Sequence, residues 1–425
     1  MNRFMILLLV GAPMIGLQAR PGARDIRFGN NGVVVTDFTS GADVSYALAT
    51  DPRGRLVAAG VSSEAGNNAL AVARYWPDGS LDATFGAGGK VRVDVTPGDD
   101  QGAATDVSPT GRIAVGGYSA SPSGGSDAVI AVLLTNGQLD PTFGSNGIVR
   151  TDYGGGHSSV GQLAFLPDGR IIVCGQRVVD VNTATEHREF VLARYLTEGA
   201  LDPSFGEGGL VIADLPLSQI AVAPRGELVA VGNSYDATGS RILLARFSRD
   251  GQLDSTFGYA GTVTIDSPIA GYFYNVAVST GGDILVGGVT PRDAYSYDPA
   301  VLRFTRRGEL DASFGVGGVA TVAGEAESMA VTAIAATPDG GVVAGGFTYG
   351  DYPTVSMFAV AAFDRRGWPD RSVGAGRIAV TGIGARAEGR GVAVLHGGDV
   401  VLAGFTDASD AWQRDFALVR YERTK

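Results

Sequence analysis

The sequence predicts an all-β protein, and three observations support that prediction. One short motif recurs along the chain, each copy is followed by short β-branched runs, and glycine is unusually frequent. Glycine accounts for 64 of the 425 residues, against about 7% in average usage, which indicates many tight turns. No segment has a sustained apolar period of 3.6 residues, so we expect no long amphipathic helix.

The recurring motif reads LDATFGAGGKV in its first complete copy, Leu81–Val91. Further complete copies begin at Leu139, Leu201, Leu253 and Leu310, a partial copy begins at Arg24, and a degenerate copy begins at Pro369. The anchor residues of the copies are Phe28, Phe85, Phe143, Phe205, Phe257 and Phe314, with Val373 in the degenerate copy. Successive anchors lie 52 to 62 residues apart, so the chain divides into seven units without room for another domain.

Each unit has the same order of elements. The glycines precede a short first strand, such as GVVVTD (Gly32–Asp37), and a second apolar run ends in a proline-glycine turn, such as PDG (Pro167–Gly169). Proline presets φ in such a turn, and glycine accepts positive φ. A third strand, such as GRIIVCG, and a fourth, such as VLARY (Val191–Tyr195), complete the unit. Four short strands per unit predict the blades of a β-propeller.

The two ends of the repeat array favour a closed ring over the main alternative, an open solenoid. A solenoid needs polar caps at its ends, whereas this array starts on a GVVVTD strand and stops on an ALVRY strand. We therefore predict a seven-bladed β-propeller of four-stranded antiparallel blades, closed by pairing of the N-terminal strand with the C-terminal blade. Closure would leave no exposed edge at either end.

The N-terminus has the features of a secretory signal. Arg3 supplies positive charge, Phe4–Leu17 is an apolar stretch too short to span a bilayer comfortably, and Ala19 offers a small residue for cleavage. The predicted organisation is a signal peptide over residues 1–19 and one propeller domain over residues 20–425. An uncleaved membrane anchor is the alternative. We expect an exported monomer, periplasmic or extracellular, without membrane insertion after cleavage.

Charge and metal-ligand content argue against several classes of partner. The formal net charge is −11 and no run of lysine or arginine exceeds two residues, so we expect no nucleic-acid partner. Cys174 is the single cysteine and takes a small apolar position of the third strand, so we expect a buried filler. The histidines His157, His187 and His396 lie in three units without zinc-ligand spacing. We expect no cofactor and no metal.

The pattern LDxxFGxxG, PDGRIxVxG and LARY resembles the bacterial delta-60 repeat, a β-propeller repeat of exported and surface proteins. The resemblance covers about residues 24–425 and rests on five copies of the complete LDxxFG string. It implies a propeller and an envelope or extracellular location, and it implies no common reaction. The order of elements is also similar to NHL-type propellers, which implies that the strand after the glycines is outermost in its blade.

The recurring polar residues of the units are interpreted as structural. The motif glycines precede a strand, whereas a phosphate-binding glycine loop needs a helix behind it, so we predict a turn. We expect the motif phenylalanine to pack between blades and the motif aspartate to accept backbone hydrogen bonds. Arginines that could pair with that aspartate share one site on the fourth strand: Arg74, Arg194, Arg246, Arg303 and Arg420. Aspartates that we expect to cap the first strand, rather than to hold a metal, are Asp37, Asp94, Asp152, Asp214 and Asp266.

Function is predicted on one face of the propeller. Strand parity places the connections after the first and third strands on one face, where they vary, and the PDG and LDxxFG turns on the other, where they are nearly constant. Variable loops on a rigid scaffold are a usual place for binding. We therefore predict an exported, non-catalytic module that binds a protein or carbohydrate ligand through the variable loops.

The alternative is a hydrolase or lyase with its active site at the mouth of the central channel on the same face. No cluster of carboxylates or histidines in the sequence supports it, so the binding module is favoured. Tyrosine, tryptophan and arginine are enriched at binding hot spots. The candidate binding residues, taken from the connections after the third strands, are Tyr235, Tyr295, Tyr297, Tyr349, Tyr352, Trp412, Arg177, Arg188 and Arg292.

Overall fold

A computed structural model describes residues 24–423 except 123, 184, 237–238, 267–270, 294, 324–327, 350–355 and 408–412. The predicted signal peptide, residues 1–19, lies outside the described residues. The described part is all-β, with 28 strands and one short 3₁₀ helix, Gly374–Gly376. No helix of this part has the length and apolar character needed to cross a membrane.

The strands form antiparallel four-stranded arrays, and each array has an innermost and an outermost strand. The innermost strands are β2 (Asp43–Thr50), β6 (Asp100–Val107), β10 (His157–Phe165), β14 (Leu217–Val222), β18 (Tyr272–Val278), β22 (Ser328–Ala336) and β26 (Ala387–Val394). The second strands are β3 (Leu56–Glu64), β7 (Ile113–Ala120), β11 (Ile171–Val179), β15 (Leu228–Asp236), β19 (Ile284–Pro291), β23 (Val342–Tyr349) and β27 (Val400–Asp407).

The outer half of each array consists of a third strand and a short outermost strand. The third strands are β4 (Asn67–Tyr75), β8 (Ser126–Leu133), β12 (His187–Tyr195), β16 (Gly239–Phe247), β20 (Tyr297–Phe304), β24 (Met357–Phe363) and β28 (Arg414–Tyr421). The outermost strands are β1 (Val33–Thr36), β5 (Lys90–Val93), β9 (Ile148–Thr151), β13 (Leu210–Ala213), β17 (Thr262–Asp266), β21 (Val319–Thr321) and β25 (Ala379–Thr381). The strand after the motif glycines is therefore outermost, as the resemblance implies.

The arrays form five four-stranded sheets and one eight-stranded sheet, in which a single parallel bridge between His157 and Ser126 joins two arrays. The first strand of the chain completes the last array, because Val33 of β1 lies opposite Val419 of β28. The next strand, β2, begins a different sheet. The two ends of the described chain therefore meet in one sheet.

The apolar core lies between neighbouring sheets, where the motif phenylalanines are fully buried. Phe85, which is 0% exposed, packs with Val57 and Val72 of one sheet and with Ile113 and Val129 of the next. The same burial is found at Phe28, Phe143, Phe205, Phe257 and Phe314. The prediction that this residue packs between blades is confirmed. Cys174 is also buried, as predicted, and burial raises the pKa of its thiol to about 12.

Every innermost strand carries a β-bulge, and the bulge explains a glycine that recurs in the second strand. In the first array the register shifts between Ser45 and Ala47, opposite Gly60 and Ala59. A Cβ on Gly60 would overlap the carbonyl oxygen of Val44, so only glycine fits beside the bulged backbone. The equivalent glycines are Gly117, Gly175, Gly232, Gly288, Gly346 and Gly404.

The motif aspartates and the strand arginines form a repeated joint between units. Asp82 accepts from Arg74 at 2.8 Å and from Arg55 at 2.8 Å, and its other oxygen accepts from the Thr84 backbone at 3.1 Å. The Arg74 guanidinium also lies 4.4 Å from the Phe85 ring centroid. The same aspartate–arginine pairs are Asp202–Arg194, Asp254–Arg246, Asp311–Arg303 and Asp25–Arg420. The predicted pairing is confirmed.

Two units lack the strand arginine, yet their motif aspartates still have a cationic partner. Where Val132 replaces it, Arg112 contacts Asp140 at 2.7 Å, and where Ala362 replaces it, Arg423 contacts Asp370 at 2.7 Å. Burial alone would raise the pKa of Asp140, but hydrogen bonds from Thr142 and the charge of Arg112 hold it below its usual range. These carboxylates are therefore ionised structural groups.

Candidate functional site

The strand register separates the connections onto two faces. Thr50 lies opposite Leu56, and Leu56 lies opposite Tyr75, so the PDG-type and LDxxFG turns of a unit leave its sheet at the same end. We call this end the constant face. The opposite end carries the connections that precede the innermost strands and those between second and third strands, and we call it the variable face.

A cavity of about 650 Å³ opens on the variable face, which is a usual size for a ligand pocket. It lies between the array β6–β9 and the array β10–β13, and both kinds of variable connection contribute to it. The polar side chains of its lining include Asp99, Tyr118, His157, Gln176, Glu186 and Arg188. We call it the variable-face cavity.

Hydrogen bonds hold the lining side chains in place. Arg188 Nη1 donates to Gln176 Oε1 at 3.2 Å, and the Tyr118 hydroxyl donates to Gln101 Oε1 at 3.0 Å. His157 Nδ1 lies 3.4 Å from the hydroxyl oxygen of Ser126. Each group keeps further donor or acceptor capacity that a ligand could use.

The charge pattern of the cavity is mixed. The carboxylates of Asp99 and Glu186 and the guanidinium of Arg188 line the same space. Burial, with the nearby charge of Asp99, raises the pKa of the Tyr118 hydroxyl, so this phenol is neutral and can both donate and accept. The cavity therefore offers cationic donors, anionic acceptors and a neutral aromatic hydroxyl to one ligand.

A second, smaller cavity of about 230 Å³ lies where residues from β2, β6, β10, β14, β18, β22 and β26 meet. Its polar side chains link neighbouring innermost strands. Gln162 Oε1 accepts from the Ile220 backbone at 2.9 Å, and Asn275 Nδ2 donates to the Val331 carbonyl at 3.1 Å. These amides are engaged in joining strands, so we assign this central cavity a structural role.

Five of the seven bulges in the innermost strands place a residue at the central cavity. A bulge redirects the side chain that it carries, and five bulged residues line the central cavity: Tyr46, Ala103, Gly161, Thr332 and Arg390. The other two bulged residues are Ser218 and Tyr274. The residue types differ from strand to strand, so the bulged side chains differ between units although the backbone conformation repeats.

The predicted arginine candidates have different environments. Arg188 lines the variable-face cavity. Arg177 instead donates to Glu189 at 2.5 Å and to the Tyr153 carbonyl at 2.8 Å, which holds the neighbouring connection in place. Arg292 donates to Asp298 at 3.2 Å. Of the three, only Arg188 faces a cavity.

The predicted aromatic candidates Tyr295, Tyr297 and Tyr349 lie outside the lining of the variable-face cavity. Tyr295 is 88% exposed, and Tyr297 and Tyr349 are half-buried. Tyr235 lies at the end of β15, and its side chain is outside the described part of the structure. Tyr352 and Trp412 fall within the segments 350–355 and 408–412, so both lie outside the described residues. These candidates remain predictions.

Residues at or just before the start of the innermost strands also belong to the variable face, although they are not among the predicted candidates. Asp99 and His157 line the variable-face cavity, and Tyr272 and Tyr274 are 39% and 42% exposed at the start of β18. Strand parity already placed the connections before the innermost strands on the variable face. The predicted candidates all come from the connections between the second and third strands, so they do not include these residues.

The aspartates that the sequence predicts to cap the first strand have side-chain as well as backbone partners, and Asp266 accepts from Arg241 Nε at 2.9 Å. Asp94 accepts from the Asn67 side chain at 3.1 Å, and Asp152 accepts from the Gly154 backbone at 2.8 Å. Asp37 differs, because its carboxylate lies with those of Asp43 and Asp415 within 4.8 Å.

The close approach of the three carboxylates of Asp37, Asp43 and Asp415 can be explained without a metal ion. Asp43 Oδ2 accepts from the Phe38 backbone at 2.6 Å, which closes the connection between β1 and β2. Burial raises the pKa of Asp43 to about 6 despite hydrogen bonds from Ser62, Phe38 and Thr39. Burial, and then the charge of Asp37, also raises the pKa of Asp415. A proton can therefore relieve the repulsion, and we assign no metal here.

Five segments of the chain match a family model described as "Domain of unknown function (DUF5122) beta-propeller". The matched residues are 54–85, 108–143, 166–205, 226–257 and 282–314. Each segment contains the second and third strands of an array and ends at the motif phenylalanine. The chain thus carries the repeat of a β-propeller repeat family. No curated protein matches the chain.

Solved propellers resemble the chain in fold at low sequence identity. Uncomplexed acylaminoacyl peptidase from Pyrococcus horikoshii has a TM-score of 0.50 at 12% identity, over 95% of this chain and 54% of the peptidase. Polysaccharide lyase Uly1 has a TM-score of 0.50 at 11% identity, over 89% of this chain and 90% of the lyase. The chain spans about half the length of the peptidase. At these identities the likeness shows the fold alone.

Proposed function

We propose that this chain is an exported, non-catalytic β-propeller that binds a saccharide through its variable face. The observation that carries the proposal is the variable-face cavity, where Asp99 and His157 meet Arg188 from a different connection. Two sets of individual loops converge there on a scaffold that otherwise repeats. Such convergence on a rigid framework is typical of a binding site.

The chemistry of the cavity suits a sugar. A saccharide presents many hydroxyl groups, each of which donates and accepts, together with small apolar C–H faces. The amide of Gln176 and the guanidinium of Arg188 supply donors, the carboxylates of Asp99 and Glu186 supply acceptors, and Tyr118 offers a ring. A saccharide can pair with each of these polar groups, whereas an apolar ligand cannot.

The proposal includes a closed ring of seven blades, of the delta-60 type that the sequence resembles. Pairing of β1 with β28 supports closure. Arg420 Nη1 donates to the Pro77 carbonyl at 2.8 Å, just as Arg74 Nη1 donates to the Thr135 carbonyl at 2.6 Å one unit along. The last unit thus contacts the first as an internal unit contacts its neighbour. A closed ring would fix the relative positions of the variable loops.

Export is the part of the proposal that rests on the sequence alone. The apolar stretch Phe4–Leu17 and the small residue Ala19 are typical of a cleaved signal. We propose a periplasmic or extracellular protein that functions as a monomer, with residues 20–425 as the single propeller domain. A soluble saccharide of the envelope or of the surroundings would reach the variable face directly.

The test is retention of soluble polysaccharides by the purified chain. Wild type is run in affinity gels that contain xylan, laminarin or polygalacturonate, beside Arg188→Ala and Arg307→Ala. Arg307 is an exposed arginine of the constant face, so it controls for loss of charge. We expect wild type and Arg307→Ala to be retarded equally, and Arg188→Ala to bind at least about tenfold more weakly, as for loss of a charged hydrogen bond. Equal retardation of all three, or of none, would overturn the proposal.

A hydrolase or lyase remains the second candidate, and one observation favours it. Tyr118, His157 and Glu186 line one cavity, and phenol, imidazole and carboxyl groups are the usual carriers of acid–base catalysis. The same polysaccharides, incubated with the chain, separate the two functions. If wild type forms new reducing ends or unsaturated products and His157→Ala does not, the protein is an enzyme and not a binding module.

A further inference from the structure

A line of aromatic side chains lies on the variable face away from the variable-face cavity. The rings of Tyr272 and Tyr297 have centroids 6.2 Å apart at 53°, and those of Phe347 and Tyr349 have centroids 6.4 Å apart at 56°. Ser328 joins the two pairs, because it accepts from the Tyr297 backbone at 3.0 Å and lies opposite Tyr349. We call Tyr272, Tyr297, Phe347 and Tyr349 the aromatic strip.

The aromatic strip leads to the centre of the molecule. The Arg390 guanidinium lies 5.4 Å from the centroid of the Phe347 ring, and Arg390 lines the central cavity. At the other end, Tyr272 is followed two residues later by the bulged Tyr274. Arg390 therefore connects the strip with the central cavity.

The lining of the variable-face cavity comes within two residues of the central cavity along β10. Ser159 and Gln176 of its lining lie on β10 and β11, close to the bulged Gly161 that lines the central cavity. The bulged residues on this side, Ala103 and Gly161, are small. The centre is therefore open toward the cavity and carries larger groups toward the strip.

We infer that the aromatic strip is a second subsite, and that the ligand is a saccharide chain extending across the centre of the variable face from the strip to the variable-face cavity. The inference rests on the proposed function and specifies the length of its ligand. Sugar rings stack their C–H faces on tyrosine rings, while hydroxyl-rich ends need the hydrogen-bonding groups that Gln176 and Arg188 supply. Two linked subsites strengthen binding because the second contact becomes intramolecular.

Surface exposure supports a stacking role for the strip. Tyr272 is 39% exposed, which leaves part of its ring for a ligand while Tyr297 holds its orientation. Tyr295, in the adjacent connection, is 88% exposed and could extend the same platform. Tyrosine suits this task, because a rigid ring loses little conformational entropy when it binds.

The experiment compares short and long ligands by titration calorimetry. The probes are disaccharide and octasaccharide fragments of xylan, laminarin and polygalacturonate, and the proteins are wild type, Tyr272→Ala, Tyr272→Phe and Tyr259→Ala. Tyr259 is 88% exposed on the constant face, so it is the matched control. Circular dichroism verifies folding, and Tyr272→Phe retains the ring should truncation disturb β18.

We expect wild type to bind one octasaccharide at least about tenfold more tightly than its disaccharide. Tyr272→Ala should bind the octasaccharide about tenfold more weakly than wild type and the disaccharide with unchanged affinity. Tyr272→Phe and Tyr259→Ala should bind both lengths with the affinity of wild type. Equal affinity of wild type for both lengths, or a length effect that survives in Tyr272→Ala, would overturn the two-subsite inference and leave the proposed function intact. Binding of no fragment by wild type would overturn both.

Discussion

The constant face and the variable face terminate the same strands, yet their charged side chains have different partners. On the constant face, Asp82 is 0% exposed and is shared by two arginines, and each of its counterparts in the other units contacts at least one arginine. On the variable face, Arg188 contacts an amide and lines an open cavity. Each joint between units needs an arginine beside the buried or half-buried aspartate, so that face varies little. The other face is free to differ from unit to unit.

The largest expected effect comes from breaking one constant-face joint. Asp82→Ala should destabilise the protein by about 3–5 kcal/mol, because Arg74, 2% exposed, would lose its carboxylate partner and Arg55, 7% exposed, would keep only Asp51. Urea unfolding measures the change. Asp254→Ala removes the equivalent aspartate where it is 22% exposed, and it should cost about 1 kcal/mol or less. Equal losses for both would mean that burial does not set the strength of the joint.

An intermediate effect is expected from Asp43, which closes the connection between β1 and β2 on the variable face. Burial raises its pKa to about 6 from 3.8, so the folded protein holds a proton that the unfolded chain releases at lower pH. Stability should therefore fall as pH rises from about 4 to 6 and then level off, by about 2–3 kcal/mol from this group. Unfolding free energies of wild type and Asp43→Asn, measured against pH, give the contribution as their difference.

Asp43→Asn keeps the acceptor for the Phe38 backbone, so the loop contact at 2.6 Å should survive. The neighbouring carboxylates Asp37 and Asp415 remain in the variant, so the difference from wild type reports the carboxyl of residue 43. A pH dependence in Asp43→Asn identical to that of wild type would assign the titration to other groups. Asp43 would then make no contribution to the pH dependence of stability at the variable face.

The smallest expected effect is a change in ligand binding that distinguishes the two faces and leaves the stability of the protein unchanged. Tyr295→Ala and Tyr259→Ala remove equally exposed rings, each 88% exposed, so both should change the free energy of unfolding by less than about 0.5 kcal/mol. Tyr295→Ala should weaken polysaccharide retention by about three- to tenfold, and Tyr259→Ala should leave it unchanged. Weaker retention by Tyr259→Ala would place binding on both faces.

The order and type of the strands could be predicted from the sequence because they are local. Turn chemistry at Pro167–Gly169 and the β-branched run after each glycine turn depend on nearest neighbours, and the structure has strands there. The recurring glycine represented by Gly60 also held a signal for the bulges. The bulge could not be inferred from this glycine alone, because the close contact that requires glycine is with the backbone of another strand at Val44.

The variable-face cavity could not be predicted, because it depends on which units become neighbours in space. His157, Arg188 and Asp99 come from three connections in two arrays, and no spacing in the chain brings them together. Arg177 and Arg188 look alike in the sequence, but the first is bound to Glu189 and a carbonyl while the second faces the cavity. Only the packed arrays distinguish a structural arginine from an available one.

The sequence by itself determined the repeat, the all-β class, the place of each turn and the division into a constant and a variable face. These follow from periodicity and turn chemistry, which act over a few residues. The tertiary structure decided that β1 pairs with β28 in the last array, that the bulges place Thr332 and Arg390 at the central cavity, and that the variable connections line a cavity. The physical reason is that side chains converge through packing between sheets, and that packing joins residues far apart in the chain.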